Sequence, residues 1–267
     1  MTETRLVRAL LRAASAVVLA FLYLPLIVLG VYAFNESRIA SWPPTGFTLH
    51  WFGEAAANPA IRTALLNSFA AASASTAIAL VLGTLAAIAV QRNEFFGKTS
   101  VSFLLVLPIA LPGVITGIAL QTSFKLFGFD FGLLTIIIGQ ATFCVVVAYN
   151  NVVARLRRLP IAPEEAAADL GADSFATFRH ITLPGMRTAL LSGGLLAFAL
   201  AFDEVIVTLF AAGAGTKTIP VWIFSAMQRP NELPVVNVVA LVLVLVSIIP
   251  VWIAQRISGG EATRITR

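Results

Sequence analysis

A chain of 267 residues that is 58% hydrophobic and 12% charged has about half the charge density of a soluble globular protein, too little polar surface for a fold that faces water. The same figures exclude intrinsic disorder, and a single cysteine, Cys144, excludes an internal disulfide framework. A formal charge of +5 would point to nucleic acid in a soluble protein. At a mean hydropathy of +0.91, the charge asymmetry of membrane loops is the first explanation.

The charged residues divide the chain into spans. Arg12 and Glu36 enclose 23 uncharged residues, Arg62 and Arg92 enclose 29, and Lys98 and Lys125 enclose 26. Asp130 and Arg155 enclose 24, and Glu232 and Arg256 enclose 23. Each run exceeds the roughly 20 residues that a helix needs to cross about 30 Å of hydrocarbon. A sixth run, Thr188 to Thr216, is broken only by Asp203 and Glu204. None alternates with period two, so helices are expected rather than barrel strands. The expected fold is an all-α membrane protein of six transmembrane helices, a single domain over residues 1–267.

Orientation follows from Lys and Arg. With the N-terminus inside, 13 of the 18 basic residues are cytoplasmic: Arg5, Arg8 and Arg12, then Arg92, Lys98 and five arginines between Arg155 and Arg187, then Arg256, Arg264 and Arg267. Only Arg38, Arg62, Lys125, Lys217 and Arg229 remain outside. The positive-inside rule therefore puts both termini in the cytoplasm, and the net charge needs no nucleic acid. The first apolar run is too long for a signal-peptide core and is expected to stay as the first helix.

Breakers and small residues mark the spans in turn. Pro25 lies in the first. The second is crowded with small residues from Ala70 to Ser75 and at Gly83, which suits close helix packing. Pro108, Pro112 and Gly113 interrupt the third, where either irregular packing or a water-lined path would tolerate freed backbone groups. In the fourth, Cys144 is expected to be a small core residue.

The inside loop, residues 155–187, carries two short helical signals. Pro163 suits a first helical turn, with Glu164 and Glu165 at the positive end of the helix dipole. Gly171 suits the C-terminal stop, Asp173 the cap of a second helix, and Pro184 the end of the segment. Ala166, Ala167 and Leu170 fall on one helical face. Such a strip fits either a peg for the groove of a soluble partner or an amphipathic loop on lipid.

In the fifth span Asp203 and Glu204 are the main anomaly. With an entrance near Thr188, Asp203 lies roughly 22 Å along the helix, where an unpaired carboxylate costs on the order of 2.5–3.5 kcal/mol. Successive helical residues point about 100° apart, so at least one acid is expected to face a polar cavity. One role is to attract a cationic substrate; the alternatives are a structural pair with a partner or a helix that ends early. Trp42, Trp51 and Trp222, on the outer side, suit membrane-interface anchoring or stacking on a cation.

No catalytic or metal-ligating constellation is read. His50, His180 and Cys144 lack ligand spacing. No G-x-x-x-x-G-K-S/T phosphate loop occurs, so the chain is not expected to be an enzyme or to bind ATP itself.

Glu165-Ala166-Ala167, three residues, Gly171, nine residues, Ile181, one residue and Leu183-Pro184 resemble the EAA signature of ABC importer permeases. Further segments are similar to the second permease of spermidine/putrescine importers. They include Gly46 to Phe52, Asn67-Ser68, Leu82 to Ala87, Pro112 to Gly117 and Phe202 to Val207. The resemblance implies a type I importer permease fold in the bacterial inner membrane. It also implies a coupling loop in which Glu165, Ala166, Ala167 and Gly171 dock on two ATPase subunits that bind the ATP. A homologous second permease and an extracytoplasmic solute-binding protein complete the implied assembly. The implied cargo is a polyamine or related small organic cation, with Asp203 and Glu204 on its path.

Gly113 departs from this pattern, because polyamine permeases often carry an acid there. That leaves an opine, an amino-acid derivative or another small solute as the alternative. A secondary transporter or channel without an ATPase would instead require inverted repeats or ion-coupling residues in several helices. A membrane scaffold would need no coupling loop.

Overall fold

In hydrocarbon every backbone N–H and C=O must be satisfied within the protein, and for long Leu-, Val-, Ile- and Ala-rich runs the α-helix does this segment by segment. The computed structural model describes residues 5–39 and 41–262, and side chains for 7–39 and 41–247. Arg264 and Arg267, counted above as cytoplasmic, lie outside the described residues, as do the side chains of Arg5 and Arg256.

In chain order the helices begin with α1 (Arg5–Ala33), α2 (His50–Ala57), α3 (Pro59–Arg92) and α4 (Lys98–Ala110). They continue with α5 (Gly113–Leu126), α6 (Leu133–Leu156), α7 (Ala162–Asp169) and α8 (Ser174–Thr177). A π-turn over Phe178–Thr182 leads into α9 (Leu183–Asp203), followed by α10 (Ile206–Ala211) and α11 (Ile219–Ala226). A 3₁₀ turn at Pro230–Glu232 opens onto α12 (Leu233–Ala262). Among the described residues the only extended pairing is an isolated bridge between Asn35 and Phe47.

The chain is all-helical, as expected, and five helical segments are long and apolar enough to cross a membrane. The third expected span is a bent pair: α4 and α5 meet at 106° and make a sixth span only when taken together. Pro112 has no N–H to continue α4 and disfavours a helical Leu111, whose ψ of 142° is extended.

The fifth span also differs from its expected extent. It runs from Ser174 to Asp203 and stops there, so the apolar run to Thr216 is not one helix. Glu204 is extended (ψ 118°) and α10 restarts at Ile206. Pro184, expected to end the loop segment, sits instead in the first turn of α9. The π-turn absorbs it: Leu183 N–H reaches back five residues to Phe178 O, immediately before the residue that has no donor.

Contacts group the chain into two units, residues 1–62 with 222–267, and residues 63–221. In the first, α12 packs on α1 and α2. The α1 side chains from Val7 to Val28 are exposed or nearly so and predominantly apolar, as a lipid-facing helix requires. Trp51 Nε1–H donates to Asn35 O at 2.8 Å, which ties α2 to the segment after α1.

In the second unit α3, α6 and α9 share a core of small residues: Ala72, Ala79, Cys144, Ala148, Ala197 and Ala201. Small side chains let helix backbones approach closely. At Gly83 an added Cβ would lie 2.8 Å from Ala148 Cβ and 2.9 Å from both Tyr149 N and Val145 O. Gly83→Val should therefore destabilise the fold by about 1–3 kcal/mol. A thermal scan of the detergent-solubilised protein should read this as a Tm lower by about 2–4 °C per kcal/mol.

Candidate functional site

The loop between α6 and α9 is built by local capping chemistry. Pro163 is in the first turn of α7 with Glu164 and Glu165, as the sequence indicates. Leu170 caps the helix and Gly171 follows at φ +83°, a left-handed conformation that favours glycine. Asp173 caps α8, its Oδ1 accepting from Ala176 N–H at 2.6 Å. Ala166 and Leu170 are exposed, Leu170 by 89%, and Ala167 is half-buried. Phe175, not singled out from the sequence, extends this apolar surface with 68% exposure.

The loop is clasped to the membrane helices by polar contacts that local spacing does not reveal. At its base Arg155 Nε–H donates to Gly185 O at 2.9 Å. Further out, Glu164 Oε1 accepts from Arg92 Nη2 at 2.9 Å and from Thr182 Oγ1 at 3.0 Å. Arg92 is the last residue of α3 and Thr182 the last of the π-turn, so one carboxylate joins three elements. Glu165, the acid that matches the signature, is exposed.

Asp203 and Glu204 occupy the second locus, where two broken helices meet. α10 packs along α5. A Cβ at Gly113 would lie 3.7 Å from Ile206, and one at Gly117 would enter the Phe210 ring. The start of α5 therefore lies beside the start of α10, and the break after Leu111 adjoins the break after Asp203. Position 113, a glycine in this chain, belongs to this locus.

Polar side chains hold α10 in place. Gln121 Nε2 donates to Phe210 O at 3.3 Å, Thr135 Oγ1 to Ala211 O at 2.8 Å, and Gln140 Nε2 to Thr208 Oγ1 at 3.2 Å. Asn67 and Ser68 hold the segment after it, Asn67 Nδ2 donating to Lys217 O at 3.0 Å and Ser68 Oγ accepting from Ile219 N–H at 2.7 Å.

The two acids are not equivalent. Glu204 Oε1 accepts from Val207 N–H at 2.9 Å, satisfying a donor that the first turn of α10 would otherwise leave unpaired. Glu204 lies outside both helices, so the 100° separation expected of helical neighbours does not apply. Asp203 is exposed and ends α9, at the negative pole of that helix. Beside it Phe202, Phe198 and Phe69 form an aromatic cluster with centroids 5.3–6.1 Å apart.

The tryptophans divide. Trp51 and Trp222 are buried, and Arg38 already lies over the Trp51 ring, its Cζ 5.1 Å from the centroid. Trp42 is exposed, by 78%, and suits interface anchoring. Cys144 is a buried core residue, as expected, with Sγ 3.3 Å from Ala197 O. His50 pairs with Glu54 at 3.6 Å and His180 Nδ1 lies 2.9 Å from Ala176 O. Among the described residues no three His, Cys, Asp or Glu side chains cluster as metal ligands.

Comparison with known proteins places this architecture. The putrescine transport system permease protein PotI of Escherichia coli (strain K12) is 36% identical over 228 residues, 82% of this chain and 80% of that protein. The spermidine/putrescine transport system permease protein PotC of the same strain is 33% identical over 243 residues, 91% of each chain. A putative 2-aminoethylphosphonate transport system permease protein, PhnV of Salmonella typhimurium, is 30% identical over 240 residues and 88% of each chain. A crystal structure of a bacterial ABC transporter that imports the acidic polysaccharide alginate superposes with a TM-score of 0.75. It covers 96% of this chain and 99% of that one at 16% identity, a likeness of fold. The family described as binding-protein-dependent transport system inner membrane component matches residues 79–259. The chain is a multi-pass inner-membrane protein and belongs to this family of importer permeases.

Proposed function

We infer that this chain is one permease subunit of an ATP-driven importer whose cargo is a polyamine, spermidine or putrescine, or a related small organic cation. One observation carries the reading: an exposed carboxylate, Asp203, ends a membrane helix at the place where a second broken helix adjoins it. Discontinuous membrane helices whose C-terminal ends and freed carbonyls face a path are suited to cations. Asp203 adds full charge to that end, and the Phe69, Phe198 and Phe202 rings offer π-faces to an ammonium group. The names of the putrescine and spermidine permeases agree with this cargo.

Glu165, Ala166, Ala167 and Gly171 are assigned to docking on two ATPase subunits, which bind and hydrolyse the ATP; the chain itself binds no cofactor. A homologous second permease completes the pore, and an extracytoplasmic binding protein delivers cargo. Both termini are cytoplasmic, on the same side as the coupling loop. A zwitterionic amine is the second reading, favoured by Gly113 beside the acid pair and by the name of the 2-aminoethylphosphonate relative. Membrane vesicles containing the complete complex should take up radiolabelled spermidine only with ATP and the binding protein. Uptake that persists without ATP would end the importer reading, whereas ATP-dependent uptake of 2-aminoethylphosphonate alone would end the polyamine reading.

A further inference from the structure

We propose that Glu164, with Arg92 and Thr182, is the strut that converts movement of α7 into movement of α3 and α9, which makes it a positioning residue for coupling rather than for docking. The proposal rests on the importer reading above, and it concerns a residue next to the signature acid Glu165. Glu164 and Arg92 are largely withdrawn from solvent, their side chains 18% and 16% exposed, and they meet at 2.9 Å. An ion pair so placed is screened far less than a surface pair.

The three partners stand at the roots of different levers. Arg92 terminates the 34-residue α3. Thr182 precedes α9, and the helical path from it to Asp203 is about 30 Å long. A displacement of α7 is thus delivered to two membrane helices, and at the far end of one of them to the break at Asp203. α7 also packs on α8 and on the π-turn, and the strut adds its link to the end of α3.

The guanidinium is only half used. Arg92 Nε is buried and has no hydrogen-bond partner among the described residues, a costly state for a donor. The planar fork of arginine matches a carboxylate with two parallel bonds. A small advance of α7 towards α3 would let Nε donate to Glu164 as well, giving the strut two bonded positions, single and forked. Two discrete arrangements are what a coupling element needs.

The test uses the complete complex in proteoliposomes, with the binding protein loaded with spermidine. Glu164→Gln, Arg92→Gln and the double variant are compared for ATPase subunits retained, basal ATP hydrolysis and ATP consumed per spermidine imported. Each single variant should keep the ATPase subunits and basal hydrolysis, while the ATP consumed per spermidine rises on the order of fivefold. The double variant should be no worse than either single, because the pair acts as a unit. Thr182→Val, which removes only a hydroxyl, should shift the ratio in the same direction. An unchanged ratio in both single variants overturns the strut, and so does loss of the ATPase subunits in parallel with uptake, which would mark a docking role. A wild-type complex that hydrolyses ATP without moving spermidine overturns the polyamine reading instead, and the ratio is then read with 2-aminoethylphosphonate. A wild-type chain that retains no ATPase ends the importer reading and the strut together.

Discussion

Asp203→Asn should lower spermidine uptake about tenfold and leave subunit assembly intact. The substitution is nearly isosteric and the side chain is exposed, so the helix end keeps its shape while losing its full charge. Coulomb attraction between unit charges at 4 Å supplies roughly 4 kcal/mol at an effective dielectric near 20. Desolvation offsets much of this, and a remainder of about 1.4 kcal/mol corresponds to a factor of ten. Glu204→Gln is the built-in comparison. Glutamine keeps an acceptor for Val207 N–H, so this variant should retain most uptake. Initial-rate measurements with matched amounts of assembled complex decide the matter. Normal uptake after Asp203→Asn, or a greater loss after Glu204→Gln, would remove Asp203 from the path.

Gly171→Val should strip ATPase subunits from the purified complex. At φ +83° a β-branched residue is a steric outlier, and the left-handed conformation costs about 1–2 kcal/mol for a residue with a Cβ. Nothing lies within 4 Å of an added Cβ, so the effect is conformational and not a clash. The chain would leave α7 in a different direction and displace Leu170 and Phe175 from the exposed apolar surface. A drop of about 5–30-fold in retained ATPase is expected from that energy. Gly97→Val serves as the control, since Gly97 has φ +84° and equally open space but lies outside the coupling loop. Equal losses in the two variants would show that strain alone, wherever placed, is responsible.

What the sequence made legible was whatever is decided within a few residues. Pro163, Gly171 and Asp173 act through caps and turns that span at most four positions, and each stands where its chemistry indicates. The spans were legible for the same reason, because uncharged length is a local property. From the sequence Glu164 reads only as a helix-dipole residue, since its partner Arg92 lies 72 positions earlier and only tertiary folding brings them together. The bend at Leu111–Pro112 was signalled by its prolines, but the angle depends on the neighbours that accept α5. The break after Asp203 is marked in the sequence only by the acid pair that interrupts the run to Thr216, and a helix that ends early is one of the readings the pair allows. At that point Glu204 leaves the helix with ψ 118° and its carboxylate accepts from Val207 N–H of the next one.

The π-turn ahead of Pro184 has a consequence for rotational phase. A turn closed over five residues instead of four holds one residue in surplus, and an α-helix advances about 100° per residue. Removing a residue between Phe178 and Thr182 would let the segment relax towards plain α-helix and would swivel the loop against α9 by that angle. Thr182 would turn away from Glu164, while the Arg155–Gly185 bond, which joins α6 to α9, would stay. The surplus residue thus acts as a vernier, setting the angular alignment between α7 and the helix that ends at Asp203.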